Sequence, residues 1–224
     1  MEPIQINPAA LKRALMDIIP ILKNAREFYT LRHAQLEFRR DHVRFIATDR
    51  FVIVTTTVMH APREDWTADT TLLVNYQELE VLKASGADTV TDLTDEGATF
   101  SRGNGSIHLD HANDVEFPDV WQFIDHLEPI TPHTLATSAE GLPTLGGFDV
   151  SLVKHIKGVE VVPAIKRSGG PGVGYLGALQ TPDRRVQGVL MPRRAPEAEY
   201  VSLDRAADNT NTNTNTNTEE SSNA

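Results

Sequence analysis

The chain contains no cysteine. That excludes a disulfide scaffold, a thiolate metal centre and a cysteine nucleophile. Long apolar runs are missing too. None approaches the roughly 18 residues that a spanning helix needs, and the N-terminus has no apolar signal stretch. The sequence therefore predicts a soluble, cytoplasmic protein. No Gly-Lys-Ser/Thr phosphate loop and no Gly-x-Ser-x-Gly elbow occurs, and no carboxylate pair stands in an apolar setting suited to acid/base work. The expectation is a non-enzyme without cofactor or metal. Net positive charge is also lacking: the 224 residues sum to -10, which taken whole argues against nucleic acid.

Hydrophobic residues make up 40% of the chain, enough for a substantial core in one or two domains. The charge is unevenly spread. Residues 1–144 carry 12 Lys and Arg against 22 Asp and Glu, residues 145–195 carry 8 against 3, and residues 196–224 carry 1 against 6, giving -10, +5 and -5. A basic segment thus lies between two acidic ones. The last of these includes alternating Asn and Thr from Asn209 to Thr218, a composition that predicts a disordered tail.

Strand and helix signals alternate in a repeated order. Ile4-Gln5-Ile6 reads as a strand. Asn7 caps a helix with Pro8 in its first turn and Leu11, Leu15, Ile18, Ile19 and Leu22 at helical spacing, with Pro20 expected to end or kink it. Phe28 to Phe38 and Val43 to Met59 come next as β-rich runs. The order then recurs: a strand at Thr70 to Val74, a short helix from Asn75 to Gly86, and three strands up to Leu109, the last two joined by Gly103-Asn104-Gly105. A third copy begins at Gly147, with a helix carrying Leu152, Val153 and Ile156 and stopped by Gly158, then strands at Val159 to Lys166, Val173 to Gln180 and Val186 to Met191. The pattern is one strand, one helix and about three strands, repeated without sequence identity. Residues 119–146 read as a linker.

Several short patterns have ordinary explanations. Gly172-Val173-Gly174-Tyr175-Leu176-Gly177 has dinucleotide-fingerprint spacing, but the residues after it read as strand, so a glycine-rich hairpin is the favoured reading over a nucleotide enzyme. His108 and His111 flank Asp110 without a third ligand and read as exposed. The helix faces say more. The first offers Lys12, Arg13 and Lys23 with Asp17; the second mixes Gln77, Glu80 and Lys83; the third offers Lys154, His155 and Lys157 with no acid. Such faces are either solvated or present cations to a phosphate backbone.

Ala47-Thr48-Asp49-Arg50-Phe51, preceded by Val43-Arg44-Phe45-Ile46, resembles the Ala-Thr-Asp-Gly segment of the bacterial DNA polymerase III β sliding clamp family. The approach through Arg26-Glu27-Phe28-Tyr29 and Leu36-Glu37-Phe38 is similar. Val115-Glu116-Phe117-Pro118-Asp119-Val120, running on to Leu127-Glu128-Pro129, resembles the family's Phe-Pro-Asp-Tyr stretch. Gly147-Phe148-Asp149-Val150-Ser151-Leu152-Val153 resembles the start of its last half-domain, and Val189-Leu190-Met191-Pro192-Arg193 its Val-x-Met-Pro ending. Compared with the family, the sequence is read as wanting a first domain and the first half of the last, and Arg50 and Val52 stand where glycine and arginine are usual. The resemblance is to a divergent, shortened clamp of the kind a bacteriophage encodes.

That resemblance implies an α+β DNA-clamp fold, with helices on one face of antiparallel sheets. The expected division is a complete clamp-like domain at 1–118, a linker at 119–146, a reduced half-domain at 147–195 and the tail at 196–224. It implies a homo-oligomeric ring of three or four chains, acidic outside and basic within, that encircles duplex DNA without reading sequence. Lys12, Arg13, Lys23, Lys154 and Lys157 are the inner-face candidates, and Arg26 matches a family position near DNA. It further implies a pocket for peptides of the replicative polymerase and the clamp loader. The matching positions are Leu31, Thr48, Arg50, Phe51, Val52, Ile53, Pro118, Val189 and Met191. Aliphatic and methionine walls suit such a groove, although Val52, Ile53 and Val189 equally suit an ordinary core. The implied function is a polymerase processivity factor. The alternative is a clamp-derived interaction protein or decoy that keeps the pocket and closes no ring.

Overall fold

The computed structural model describes residues 2–25, 27–66, 68–125, 127–129, 149–167 and 173–191. The expected tail at 196–224 lies outside them. Chain order is β1 (Ile4–Gln5), α1 (Pro8–Asn24), a 3₁₀ turn (Thr30–Arg32), β2 (His33–Phe38), β3 (His42–Thr48), β4 (Val52–Met59), β5 (Thr70–Asn75), α2 (Tyr76–Ser85), β6 (Thr89–Thr94), β7 (Gly97–Arg102) and β8 (Gly105–Asp110). Then come α3 (Trp121–Ile124), β9 (Leu127–Pro129), a second 3₁₀ turn (Val150–Leu152), β10 (Glu160–Arg167), β11 (Val173–Gln180) and β12 (Val186–Leu190).

Local chemistry sets the helix limits. Asn7 Oδ1 accepts from the Ala9 and Ala10 backbone N–H groups at 2.9 and 3.1 Å, satisfying two donors that the helix start would otherwise orphan. Asn75 caps α2 in the same manner, accepting from Gln77 N at 3.0 Å, and Gly86 closes it at φ 65°, a left-handed geometry that costs glycine little. Pro20 does not stop α1, which runs through it to Asn24. The buried Ile18, Ile19, Ile21 and Leu22 on either side hold that turn in the core, and their burial outweighs the one hydrogen bond a proline removes.

Two antiparallel sheets result, with strand orders β1-β6-β7-β8 and β5-β2-β3-β4-β12-β11-β10-β9. The leading strands cross over: β1 pairs with β6, and β5 pairs with β2. One core joins both sheets and both long helices. It contains Leu11, Leu15, Ile18 and Leu22 of α1, Leu79 and Leu82 of α2, Leu36, Phe45 and Val54 of the larger sheet, and Val90 and Leu109 of the smaller. Phe38 and Phe100, one from each sheet, meet with ring centroids 6.4 Å apart. The expected α+β architecture, with helices packed on antiparallel sheets, is what the chain adopts.

Three expectations need correction. The segment read as a linker contains α3 and β9. Trp121 anchors α3 by donating its indole N–H to Glu37 at 3.2 Å, and β9 pairs with β10, taking the place there that β1 takes beside β6. The remainder, 130–148, lies outside the described residues. The third helix is only the 3₁₀ turn Val150–Leu152 followed by turns. Val150, Val153 and Ile156 are β-branched, and eight residues between Asp149 and Gly158 are too few to propagate a helix that starts weakly. Finally, the strand expected from Phe28 begins only at His33. The glycine-rich stretch lies on β11 from Val173 onward, as the hairpin reading expected.

The third repeat is bonded directly to the first. β12 pairs with β4 through five residue pairs, from Val186 with Thr56 to Leu190 with Val52. Gly188 permits this approach, because a Cβ there would lie 2.0 Å from the Ile53 carbonyl oxygen. Across the seam, the Asp17 carboxylate on α1 pairs with Arg185, which also donates to the Thr56 hydroxyl at 3.3 Å. Burial pushes the Asp17 carboxyl above its ordinary value, and Arg185 pulls against that shift.

Candidate nucleic-acid face and peptide cavity

On α1 the residues that miss the core form one outward stripe: Lys12, Arg13, Met16 and Lys23 are exposed, Met16 at 55%. Lys12 and Arg13 form no ion pair among the described residues. Lys23 reaches Glu80 on α2 at 2.5 Å. Lys154 and Lys157 are exposed in the turns after the second 3₁₀ turn. Between them, His155 Nε2 donates to the Asp17 backbone oxygen at 2.7 Å. Val153 and Ile156 join the core that α1 builds. The two cation-bearing segments are therefore neighbours. Arg26 lies outside the described residues.

The Thr48–Val52 turn is built by its own side chains. Asp49 Oδ1 accepts from Phe51 N and Val52 N, both at 3.0 Å, and Thr48 Oγ1 accepts from Arg50 N at 3.3 Å. This forces Arg50 to φ 83°, the region where a Cβ is penalised. Glycine is the expected residue at such a position, which gives the glycine of the family pattern its physical sense and makes Arg50 a strained replacement. The Arg50 guanidinium stacks over the Phe28 ring at 4.5 Å, within cation–π range. Burial raises the Asp49 carboxyl, against the two N–H groups that stabilise its charge.

Next to this turn opens a cavity of about 700 Å³ lined by Asn24, Ala25, Glu27, Phe28, Asp49, Phe51, Asp149, Ser151, Leu152 and Met191. Phe51 is 58% exposed, and its carbonyl accepts from Met191 N at 2.7 Å, which places the turn beside the end of β12. Of the nine expected pocket residues, Phe51 and Met191 line this cavity, and Arg50 does not, although its guanidinium stacks on the lining residue Phe28. Thr48, Val52, Ile53 and Val189 are buried and do not line it. Strand alternation sorts the last three: Val52 joins the α1 core, whereas Ile53 and Val189 join a second cluster with Ile46, Val120 and Leu176. Phe117, Trp121, Phe123, Ile124 and Met191 pack against that second cluster. Leu31 is buried in the first 3₁₀ turn, and Pro118 is exposed ahead of α3. Phe28 and Leu152 were missed as lining. Both stand in family-like stretches of the sequence, but nothing in their spacing marks them as facing a cavity.

No candidate metal cluster exists among the described residues. His108 is hydrogen-bonded to the Thr99 hydroxyl and His111 accepts from Leu73 N, both at 2.9 Å, so the two histidines have separate partners. No described helix is long and apolar enough to cross a membrane.

Crossed leading strands, helices on one side of continuous antiparallel sheets, and a β4–β12 seam with a cavity beside it define the fold of the bacterial DNA polymerase III β sliding clamps. Solved clamps from individual bacteria superpose on most of the chain. The β subunit from Thermotoga maritima aligns over 89% of this chain and 67% of its own, with TM-score 0.56 and 13% identity. The sliding clamp from Bartonella birtlesii covers the same shares, with TM-score 0.58 and 10% identity. The clamp from Bacillus subtilis aligns over 88% of this chain and 65% of its own, with TM-score 0.54 and 12% identity. The chain thus spans about two thirds of the length of these clamps. No family model matches the sequence, and no curated protein matches it.

Proposed function

We propose that the chain is a non-enzymatic, sliding-clamp-like processivity factor that encloses duplex DNA as a homo-oligomer and tethers a replicative polymerase through a short peptide. The observation that carries this reading is that the turns bearing Lys154 and Lys157 pack on α1, the helix that bears Lys12, Arg13 and Lys23, where His155 meets the Asp17 backbone oxygen. Cations gathered there neutralise backbone phosphates without reading bases. The acidic remainder of the chain keeps DNA off the other surfaces. The cavity at Phe28, Phe51, Leu152 and Met191 is the peptide seat, and Phe51 is its most exposed anchor. Duplex DNA, polymerase and loader peptides, and further copies of the chain are the partners. The setting is the cytoplasm of a bacterium or an infected host cell.

The test is primer extension by the cognate polymerase with and without this protein. Long products from single encounters are expected, and are lost with Phe51→Ala and, independently, with Lys12→Glu/Arg13→Glu. Unchanged product length with the wild-type chain would overturn the reading. One observation favours a second reading. Beyond β9, the third repeat has a single sheet half among the described residues, so a ring has fewer units to build from. A monomer that binds polymerase peptide and gives no processivity would identify the non-ring interaction protein instead.

A further inference from the structure

α1 and α2 meet at a cleft of about 330 Å³ lined by Leu22, Lys23, Arg32, Tyr76 and Glu80. We propose that this cleft is a phosphodiester seat for duplex DNA, and that Glu80 occupies it as a resident anion until DNA arrives. This assignment rests on the DNA-enclosing reading above. Three of the five lining side chains suit a phosphate oxygen: the Lys23 ammonium, the Arg32 guanidinium and the Tyr76 hydroxyl. The one anion in the cleft is a carboxylate seated 2.5 Å from Lys23. Contact with Lys23 holds the Glu80 carboxyl below its ordinary value, so it stays charged. Lys23 and Glu80 are 44% and 36% exposed, so neither is locked in the core, and a screened surface pair of this kind is exchangeable. A phosphate competes for Lys23 on equal terms of charge, and brings further oxygens for Arg32 and Tyr76. Lys23 is thus paired with Glu80 in the free protein and changes partner when DNA arrives. A chain that must slide gains from this, because a resident carboxylate that returns after each contact weakens the hold on any one phosphate.

The experiment is a salt titration of binding to a fluorescent linear duplex by the full chain and three variants. Glu80→Gln leaves Lys23 unpaired. It is expected to steepen the dependence of log K on log salt by about 0.9, which amounts to roughly a threefold larger loss of affinity between about 50 and 200 mM salt. Arg32→Gln is expected to flatten the slope by a similar amount. Glu80→Gln/Lys23→Gln is expected to lose the gain. The double variant carries the wild-type net charge, so a gain that survives in it does not come from Lys23 and the assignment fails. An unchanged slope in Glu80→Gln, with the wild type binding normally, also overturns the assignment and leaves the DNA-enclosing reading standing. No duplex binding by the wild type or any variant at about 50 mM salt overturns both.

Discussion

Arg50 shows at the scale of one residue how the site is built. The carboxylate of Asp49 and the hydroxyl of Thr48 fix the turn, and the backbone they fix carries a positive φ at a residue with a Cβ. The stacking on Phe28 recovers part of the cost. Two substitutions separate the contributions. Arg50→Ala and Arg50→Gly both remove the guanidinium, but only glycine relieves the backbone, so Arg50→Gly is expected to be the more stable by about 1 kcal/mol in urea denaturation. Equal stabilities would mean that the turn is not strained. Glu37 offers a second residue-scale case. It is buried on β2, and burial opposes its charge. The Trp121 indole and Arg39 and Arg44 together overcome that opposition and hold the carboxyl below its ordinary value. A depressed folded-state value means the contribution is present above the ordinary carboxylate range and is lost as pH falls through the depressed value. The stability difference between wild type and Glu37→Gln is therefore expected to be largest near neutrality and to shrink on acidification. A difference that grows toward low pH would contradict this.

Among the elements, the seam between β4 and β12 matters most, because it makes the first and third repeats one body. Its polar lock is Asp17 with Arg185 and Thr56. Removing Arg185 alone strands a buried carboxylate, so Arg185→Ala is expected to cost roughly 3–5 kcal/mol, while Arg185→Ala/Asp17→Asn recovers most of it. If the double variant is no more stable than the single one, the lock is not electrostatic. This lock was hidden in the sequence, where Asp17 reads as the one acid on a basic helix face and Arg185 as one of eight cations in the basic segment. Elements with strong local signals were legible: capped helices after Asn7 and Asn75, β-branched strands, and the glycine-rich stretch that reads as a hairpin. Those whose shape depends on distant partners were not. α3 exists because Trp121 finds Glu37, and β9 because β10 offers it an edge. The third helix failed for the opposite reason, since apolar spacing alone could not compensate for β-branched residues in so short a run. The candidate cavity was half legible. Motif positions found Phe51, Met191 and the turn, but the pleat of the strands decided that Val52, Ile53 and Val189 face inward.

For the whole molecule, the charge of -10 divides by place as well as by sequence. The cations of α1 and of the 154–157 turns lie on neighbouring segments, tied by His155 to Asp17, within an otherwise acidic chain. In the proposed function, enclosure is what turns a weak, sequence-independent attraction into long residence, because a closed ring need not bind tightly to stay on DNA. The most direct test of that claim is retention on closed circular duplex DNA. The protein is loaded with its cognate loader, washed at high salt, and its bound amount is measured before and after the circle is cut once. The account predicts that protein survives the wash on the intact circle and leaves when the DNA is linearised. Loss at the wash from both forms, or equal retention on both, would contradict it.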